Sequence, residues 1–254
     1  MTVTTLDNKV WSLGEIIPKM HDDQFYYGYL GKYALSSSAF KAILNDWDKF
    51  IKDLGVVSDG KESQALRDGR LIHLCALEPH RIKDMHIVES TKGSNVFKLS
   101  VSQYGSHCVY TSRELDRCRS LANNVIRDFD AFTLMEDAEF EIPGIGYSNG
   151  LPVRVKADIK KGDHIIDLKT TSDASRFEES IDKWGYDLQG ALYLQVFKAK
   201  RFSFIILDKR TGEVTTRELT PTELTRGRQK LLLAANTFKM YIDEYYEAIK
   251  DGGE

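Results

Sequence analysis

The chain has 254 residues, enough to bury one substantial core, and its 42% hydrophobic and 29% charged composition excludes a collagen-like, low-complexity or largely disordered protein. The 35 Lys+Arg against 38 Asp+Glu leave a net charge of −3, which argues against coating nucleic acid by bulk charge but not against an enzyme that holds it in a local groove. Cys75, Cys108 and Cys118 are scattered without a CxxC pair, which removes disulfide frameworks, structural zinc and iron–sulfur clusters; no apolar run approaches roughly 18 residues, so no membrane span is expected.

Met1–Trp11 lack the apolar region of a secretory signal, so a reduced, cytoplasmic protein is expected. Residues 1–35 carry Trp11, Phe25, Tyr26, Tyr27, Tyr29 and Tyr33 with little periodicity and read as an irregular N-terminal arm whose aromatics pack. Ser36-Ser37-Ser38 then offer N-caps to a helix with Phe40, Ile43, Leu44, Trp47 and Phe50 on one face. A polar loop over 54–63 leads to a helix over Gln64–Leu77, which must stop before Pro79. Short β-like runs come next at His86–Val88 and Val96–Leu99, and Thr111 with Glu114 forms a capping box for a helix reaching about Phe129.

The period then changes. Phe140 and Ile142 alternate with Glu139 and Glu141, and Ser148-Asn149-Gly150 is a hairpin turn. Val153, Val155, Ala157 and Ile159 alternate with Arg154, Lys156, Asp158 and Lys160; after a turn at Lys161-Gly162-Asp163, His164–Thr170 is the next strand. A helix over Trp184–Phe197, a hairpin of Phe202–Leu207 and Glu213–Leu219, and a long helix from the Thr220–Pro221–Glu223 cap to about Ile249, ending at Gly252-Gly253, complete the chain. The order predicts one α/β (α+β) domain over 1–254 with a central mixed sheet: the arm over 1–35, a mostly helical part over 36–130, the sheet and its embedded helix over 137–219, and the C-terminal helix over 220–251.

The chemistry concentrates on the central strands. Asp167 and Lys169 share one strand face, and the turn before them lays Asp158 alongside. Two neighbouring carboxylates repel, and a divalent cation relieves that repulsion: Mg²⁺ takes hard oxygen ligands, to which the Leu168 carbonyl adds one. A lysine beside such an ion can orient an attacking water or offset charge developing on a phosphate, and these are the parts of a phosphodiesterase. Asp167 lies between Ile165-Ile166 and Leu168, an apolar setting in which a carboxylate needs a partner.

Asp158, a short hairpin and Ile165-Ile166-Asp167-Leu168-Lys169-Thr170-Thr171 resemble the core of the PD-(D/E)XK nucleases. Trp184 to Tyr193 resembles the QxxxY helix of their RecB-like branch. Leu35-Ser36-Ser37-Ser38 and Leu66-Arg67-Asp68-Gly69-Arg70-Leu71-Ile72-His73 are similar to phage and prophage RecE-type exonucleases (the exodeoxyribonuclease VIII catalytic domain), and the likeness runs in order over about 26–200. The resemblance implies Asp158 and Asp167 as metal ligands, Lys169 as the catalytic lysine, His73 near the metal, and Gln189 and Tyr193 as active-site or substrate support, a pair whose i, i+4 spacing shares one helix face. It also implies an acidic residue on the strand before the hairpin. Glu139 is the preferred match, with Glu141 on the same face and Glu136 as competitors. Ala157 stands where a proline often precedes the first aspartate.

The function implied by the resemblance is that of a Mg²⁺-dependent exonuclease, with Mn²⁺ able to substitute, acting on double-stranded DNA ends. It would digest 5′–3′, leave 3′ overhangs for a single-strand annealing protein in phage-type recombination, and form a homo-oligomeric ring around DNA in a bacterial or phage-infected cytoplasm. No GxxxxGK[ST] loop is present, so no ATP is expected. The rivals are an endonuclease on the same core and a catalytically silent DNA-binding or assembly protein.

Overall fold

The computed structural model describes residues 1–54 and 63–251. Its central sheet has five strands, β1 (Glu139–Ser148), β2 (Leu151–Lys161), β3 (His164–Thr171), β4 (Arg201–Asp208) and β5 (Val214–Glu218), which lie side by side in chain order. Asn149 and Gly150 join β1 to β2 with φ of 49° and 80°, the left-handed pair that a two-residue hairpin requires. β2 and β3 are antiparallel, β3 and β4 parallel, and β4 and β5 antiparallel. The parallel step needs a crossover, and a helical segment supplies it, so the sheet is mixed as expected.

Helices cover both faces. α1 (Ser37–Asn45), α4 (Tyr186–Phe197) and α5 (Pro221–Met240) pack Phe40, Leu188, Leu192, Leu231 and Phe238 onto Val153, Val155, Ala157, Ile165, Phe202 and Phe204. α2 (Gln64–Leu77) and α3 (Ser112–Arg127) pack Leu71, Ile72, Leu115 and Cys118 onto Ile159, Ile166, Leu168, Ile205 and Leu207. The helices start where their caps are: Ser36 accepts from the Ala39 N–H, Ser63 from Leu66, and Thr111/Glu114 and Thr220/Glu223 form reciprocal boxes, each cap contributing about 1 kcal/mol. α4 and α5 cross closely at Gly227, where a Cβ would lie 2.1 Å from the Asp187 carbonyl oxygen. No helix among the described residues is long and apolar enough to cross a membrane.

One irregularity positions the site. β2 and β3 pair from Lys161↔His164 to Ile159↔Ile166, and then part. The outer half of β2 takes a different neighbour: Leu35 bridges to Val153, its N–H donating to the Pro152 carbonyl and its own carbonyl accepting from Arg154. Asp158 and Asp167 are the first residues past the last rung on either side of this fork. The alternation of β2 also changes there, since Ala157 packs on one face and Ile159 on the other.

Several expectations are corrected. The N-terminal arm is built, with a Thr2–Thr4/Val10–Ser12 ribbon, a Leu13–Lys19 helix and a small core of Val3, Trp11, Ile16, Met20, Tyr26 and Leu30. Val96–Leu99 lies inside a helix, Asn95–Tyr104, because Ser94 caps it through the Phe97 N–H. The helix expected to run on to Phe50 breaks at Asp46, whose extended backbone and side-chain bond to the Lys49 N–H start a second helix, Trp47–Asp53. The C-terminal helix breaks at Tyr241 and resumes as Ile242–Asp251, and α4 starts at Tyr186, after Gly185 at φ 62°. Residues 55–62 of the loop expected over 54–63, and the stop at Gly252-Gly253, lie outside the described residues.

Candidate active site

Each arm of the fork holds its own group of side chains. On the β2 arm, the Leu168 N–H donates to Asp158 Oδ2 at 2.8 Å, tying the two strands together across the gap. His73 comes from the third turn of α2, held there by its neighbours Leu71 and Ile72 in the core beneath the sheet. Its Nε2 lies 2.7 Å from the Leu168 carbonyl oxygen. A carbonyl can only accept, so Nε2 carries the proton. Burial pushes the His73 pKa below its ordinary value, so the ring is neutral and Nδ1 keeps its lone pair. That lone pair faces Asp158 Oδ2, at 3.6 Å.

Glu141 completes this group. Counting from the Asn149-Gly150 turn along the β1–β2 register places it opposite Asp158. Its backbone turns left-handed there, with φ 52°, and its carboxylate is 3.0 Å from Lys156 Nζ. One ligand atom from each of His73, Glu141 and Asp158 lies within 4.8 Å of the others. Burial, then the Asp167 and Glu141 charges, raise the Asp158 pKa well above the carboxylate range, and burial raises that of Glu141 despite Lys156. Three electron-rich groups thus converge on one another.

On the β3 arm, Asp167 is 3% exposed. Gln189 of α4 donates from Nε2 to Asp167 Oδ1 at 2.6 Å and accepts from Lys169 Nζ at 3.2 Å. Lys169 Nζ also sits 2.7 Å from Asp167 Oδ2, as an ion pair. The Tyr186 ring lies under the same ammonium, 4.7 Å from its centroid. Burial works against the Lys169 charge, but Asp167 and Asp158 outweigh it and the pKa is raised, so the lysine is cationic at neutral pH.

The structure therefore gathers Asp158, His73 and the Leu168 carbonyl on one side, and Asp167, Lys169 and Gln189 on the other. It does not gather Glu139. That residue pairs with Lys160 at 3.1 Å, its side chain 63% exposed, two positions down the strand from the fork. Glu141 takes the place expected of Glu139, and the two-residue turn was the signal: it sets the register that puts 141, not 139, across from 158. Tyr193 is buried in the core, edge-on to Phe202, beneath Gln189 on the same helix.

The donor set fits a divalent cation. An imidazole lone pair and two carboxylates face one another, and Asp167 Oδ2, paired with Lys169, keeps a second lone pair to offer.

A family model described as "PDDEXK-like domain of unknown function (DUF3799)" matches residues 36–247. No curated protein matches the chain. Among solved structures, a protein from Eubacterium rectale described as a "Putative exonuclease" superimposes with a TM-score of 0.64 at 15% identity, covering 92% of this chain and 87% of that one. A phage-related exonuclease from Haemophilus somnus gives a TM-score of 0.38 at 16% identity, covering 85% and 99%.

Proposed function

The chain belongs to this PDDEXK-like family, and from that premise we propose that it is a metal-dependent deoxyribonuclease: an ATP-independent exonuclease that works inward from the ends of duplex DNA. The observation that carries the reading is the fork itself, where Asp158, Glu141 and the His73 lone pair face one another beside a cationic lysine tethered to Asp167.

Asp158, Glu141 and His73 Nδ1 would hold the cation, with Asp167 Oδ2 and the free lone pair of the Leu168 carbonyl as further donors. A bound divalent ion supplies charge neutralisation at the phosphate and a more acidic water. The oxygen-rich set suits Mg²⁺, and the imidazole makes Mn²⁺ acceptable in its place. The remaining chemistry belongs to the chain. Lys169 is cationic, fixed by Asp167 and Gln189 at 2.7 and 3.2 Å, and so holds its charge where negative charge grows on the phosphate and where a water must be held for in-line attack. Gln189 spans both Asp167 and Lys169 and keeps them in register; Tyr193, one turn on, packs the same helix against Phe202 in the core.

The finer parts of the proposal rest on the resemblance to RecE-type exonucleases. Digestion runs 5′–3′ and leaves a 3′ overhang for a single-strand annealing protein in recombination. The working form is a homo-oligomeric ring, whose channel alone need be basic in a chain of net charge −3, and the setting is a bacterial or phage-infected cytoplasm.

The test uses linear and covalently closed circular duplexes with Mg²⁺ and no nucleotide, with Asp167→Ala as the silent control. Progressive loss of the linear duplex while the circle survives is the expected result. Rapid linearisation of the circle would overturn the exonuclease reading in favour of an endonuclease on the same core; no cleavage of either would favour a silent DNA-binding protein.

A further inference from the structure

A second lysine stands at this site without an acid of its own. α1 begins beside Ser36, one residue beyond the Leu35 bridge that fills the open side of the fork. Lys41, on its second turn, is half-buried and runs its stem across Gly185, where an added Cβ would meet Lys41 Cδ at 2.8 Å and Cγ at 3.0 Å. Gly185 has φ 62° and leads straight into the helix that carries Gln189. The Lys41 ammonium stands 6.0 Å from the centroid of the Tyr186 ring, the same ring that lies 4.7 Å from Lys169 Nζ.

The two lysines differ in what faces them. Lys169 is matched by Asp167. Among the described residues Lys41 has no carboxylate within ion-pair distance and no hydrogen bond, its charged neighbours being Lys169 and Asp167 from β3 and Asp187 from α4. Burial, then the Lys169 charge, hold its pKa down to about 8. A cation kept half-buried beside another cation is unfavourable unless an anion arrives from outside. The anion that fits is one whose charge repeats along a strand threaded through the site, so that Lys169 meets one charge and Lys41 the next.

We propose that Lys41 binds a backbone phosphate of the DNA strand adjacent to the phosphate being cleaved, and so fixes the register in which the strand lies across the fork. This rests on the nuclease reading above.

The test is a charge-deletion scan. Fluorescent duplex ends carry a single neutral methylphosphonate, moved one position at a time along the cleaved strand, and binding is read with Ca²⁺ in place of Mg²⁺ to suppress turnover. Wild type should lose affinity at one position next to the scissile phosphate. Lys41→Met and Lys41→Gln should bind the native duplex about tenfold more weakly. They should be indifferent to the methylphosphonate at that one position, and lower the slope of log K against log salt by about 0.9, the value of one phosphate contact. Lys41→Arg should restore the sensitivity. Both neutral variants should melt no earlier than wild type, because they remove an unpaired charge. If the scan and the salt slope match wild type in both, Lys41 touches no phosphate and the proposal fails while the nuclease reading stands. If wild type itself neither binds nor cuts DNA, the nuclease reading falls and this proposal with it.

Discussion

Asp187 and Asp158 are both carboxylates set into the interior of one domain, and their surroundings differ completely. Asp187 has a side chain that is 0% exposed. It accepts from the Leu188 N–H at 2.8 Å, from Lys230 Nζ at 2.9 and 3.0 Å, and from Arg226 Nε. Those cations come from α5 and clamp it to α4. Asp158 accepts one backbone N–H, and around it stand Asp167, Glu141 and a histidine lone pair, with the Lys169 charge only partly offsetting them. The chain has supplied every partner for Asp187 and has set other acids around Asp158. A buried acid satisfied by its own fold is a lock between helices; one surrounded by other acids needs something the chain does not contain.

The largest test of this contrast is Lys169→Ala. Removing a positioned cation that acts on the transition state should lower kcat on linear duplex by roughly 10³-fold while metal-loaded protein keeps its melting temperature to within a few degrees. Near wild-type turnover would detach Lys169 from the chemistry and leave the β3 arm as a structural ion pair.

Two substitutions then set lock against site directly. Asp187→Ala strips the clamp and should cost about 3 kcal/mol in urea unfolding, the lower end of the range for a broken buried pair because Arg226 and Lys230 can turn to water. It should leave Mn²⁺ affinity by calorimetry unchanged. Asp158→Asn should do the reverse. The folded-state pKa of Asp158 is raised, so the native protein holds a proton there that the unfolded chain has lost. Its contribution to stability therefore falls as pH rises from the ordinary aspartate value of about 4 towards the raised one. In chelator, Asp158→Asn should melt on the order of a few degrees above wild type at neutral pH, with the gap closing towards pH ~4. Excess metal should reverse the order, because only wild type binds it. An Asp158→Asn protein that is less stable than wild type in chelator at neutral pH would show that Asp158 is satisfied after all.

The same contrast governs what could be read in advance. The sheet was legible because Val153, Val155 and Ala157 alternate with charges, and because Asn149-Gly150 admits little but a tight hairpin. Asp167 and Lys169 were legible because an acid amid Ile165, Ile166 and Leu168 breaks an apolar run. The lock was not: Asp187, Arg226 and Lys230 are ordinary helical charges until two helices meet, and only the close crossing at Gly227 brings them together. Lys41 escaped for the same reason, since a lysine in an amphipathic helix looks solvated until a glycine from another element lets it lie down. The switch of faces between Ala157 and Ile159 has no signature in a period-two pattern; it falls where β2 parts from β3 and opposite the left-handed backbone of Glu141.

The smallest effect separates neighbours two residues apart on one strand. Glu141 and Glu139 have the same chemistry, lie two residues apart on β1 and each sit near a lysine, Lys156 at 3.0 Å and Lys160 at 3.1 Å. Register alone distinguishes them: 139 pairs with 160, and 141 falls opposite 158. Glu141 is enclosed, with its pKa raised by burial despite Lys156, whereas Glu139 is a solvated pair whose loss should be worth almost nothing. Glu141→Gln keeps the shape and removes the charge, and should weaken Mn²⁺ binding at least about tenfold, since a ligand carboxylate should matter no less than the outer-shell groups whose loss costs about 10–100-fold. Glu139→Gln should match wild type in metal affinity, turnover and melting temperature. Equal losses from both would mean that the cation is attracted by the summed charge of the strand and not by a seat opposite Asp158. A loss from Glu139→Gln alone would require β1 to slide by two residues against β2, carrying every side chain back to its own face but moving the Asn149-Gly150 turn out of the hairpin.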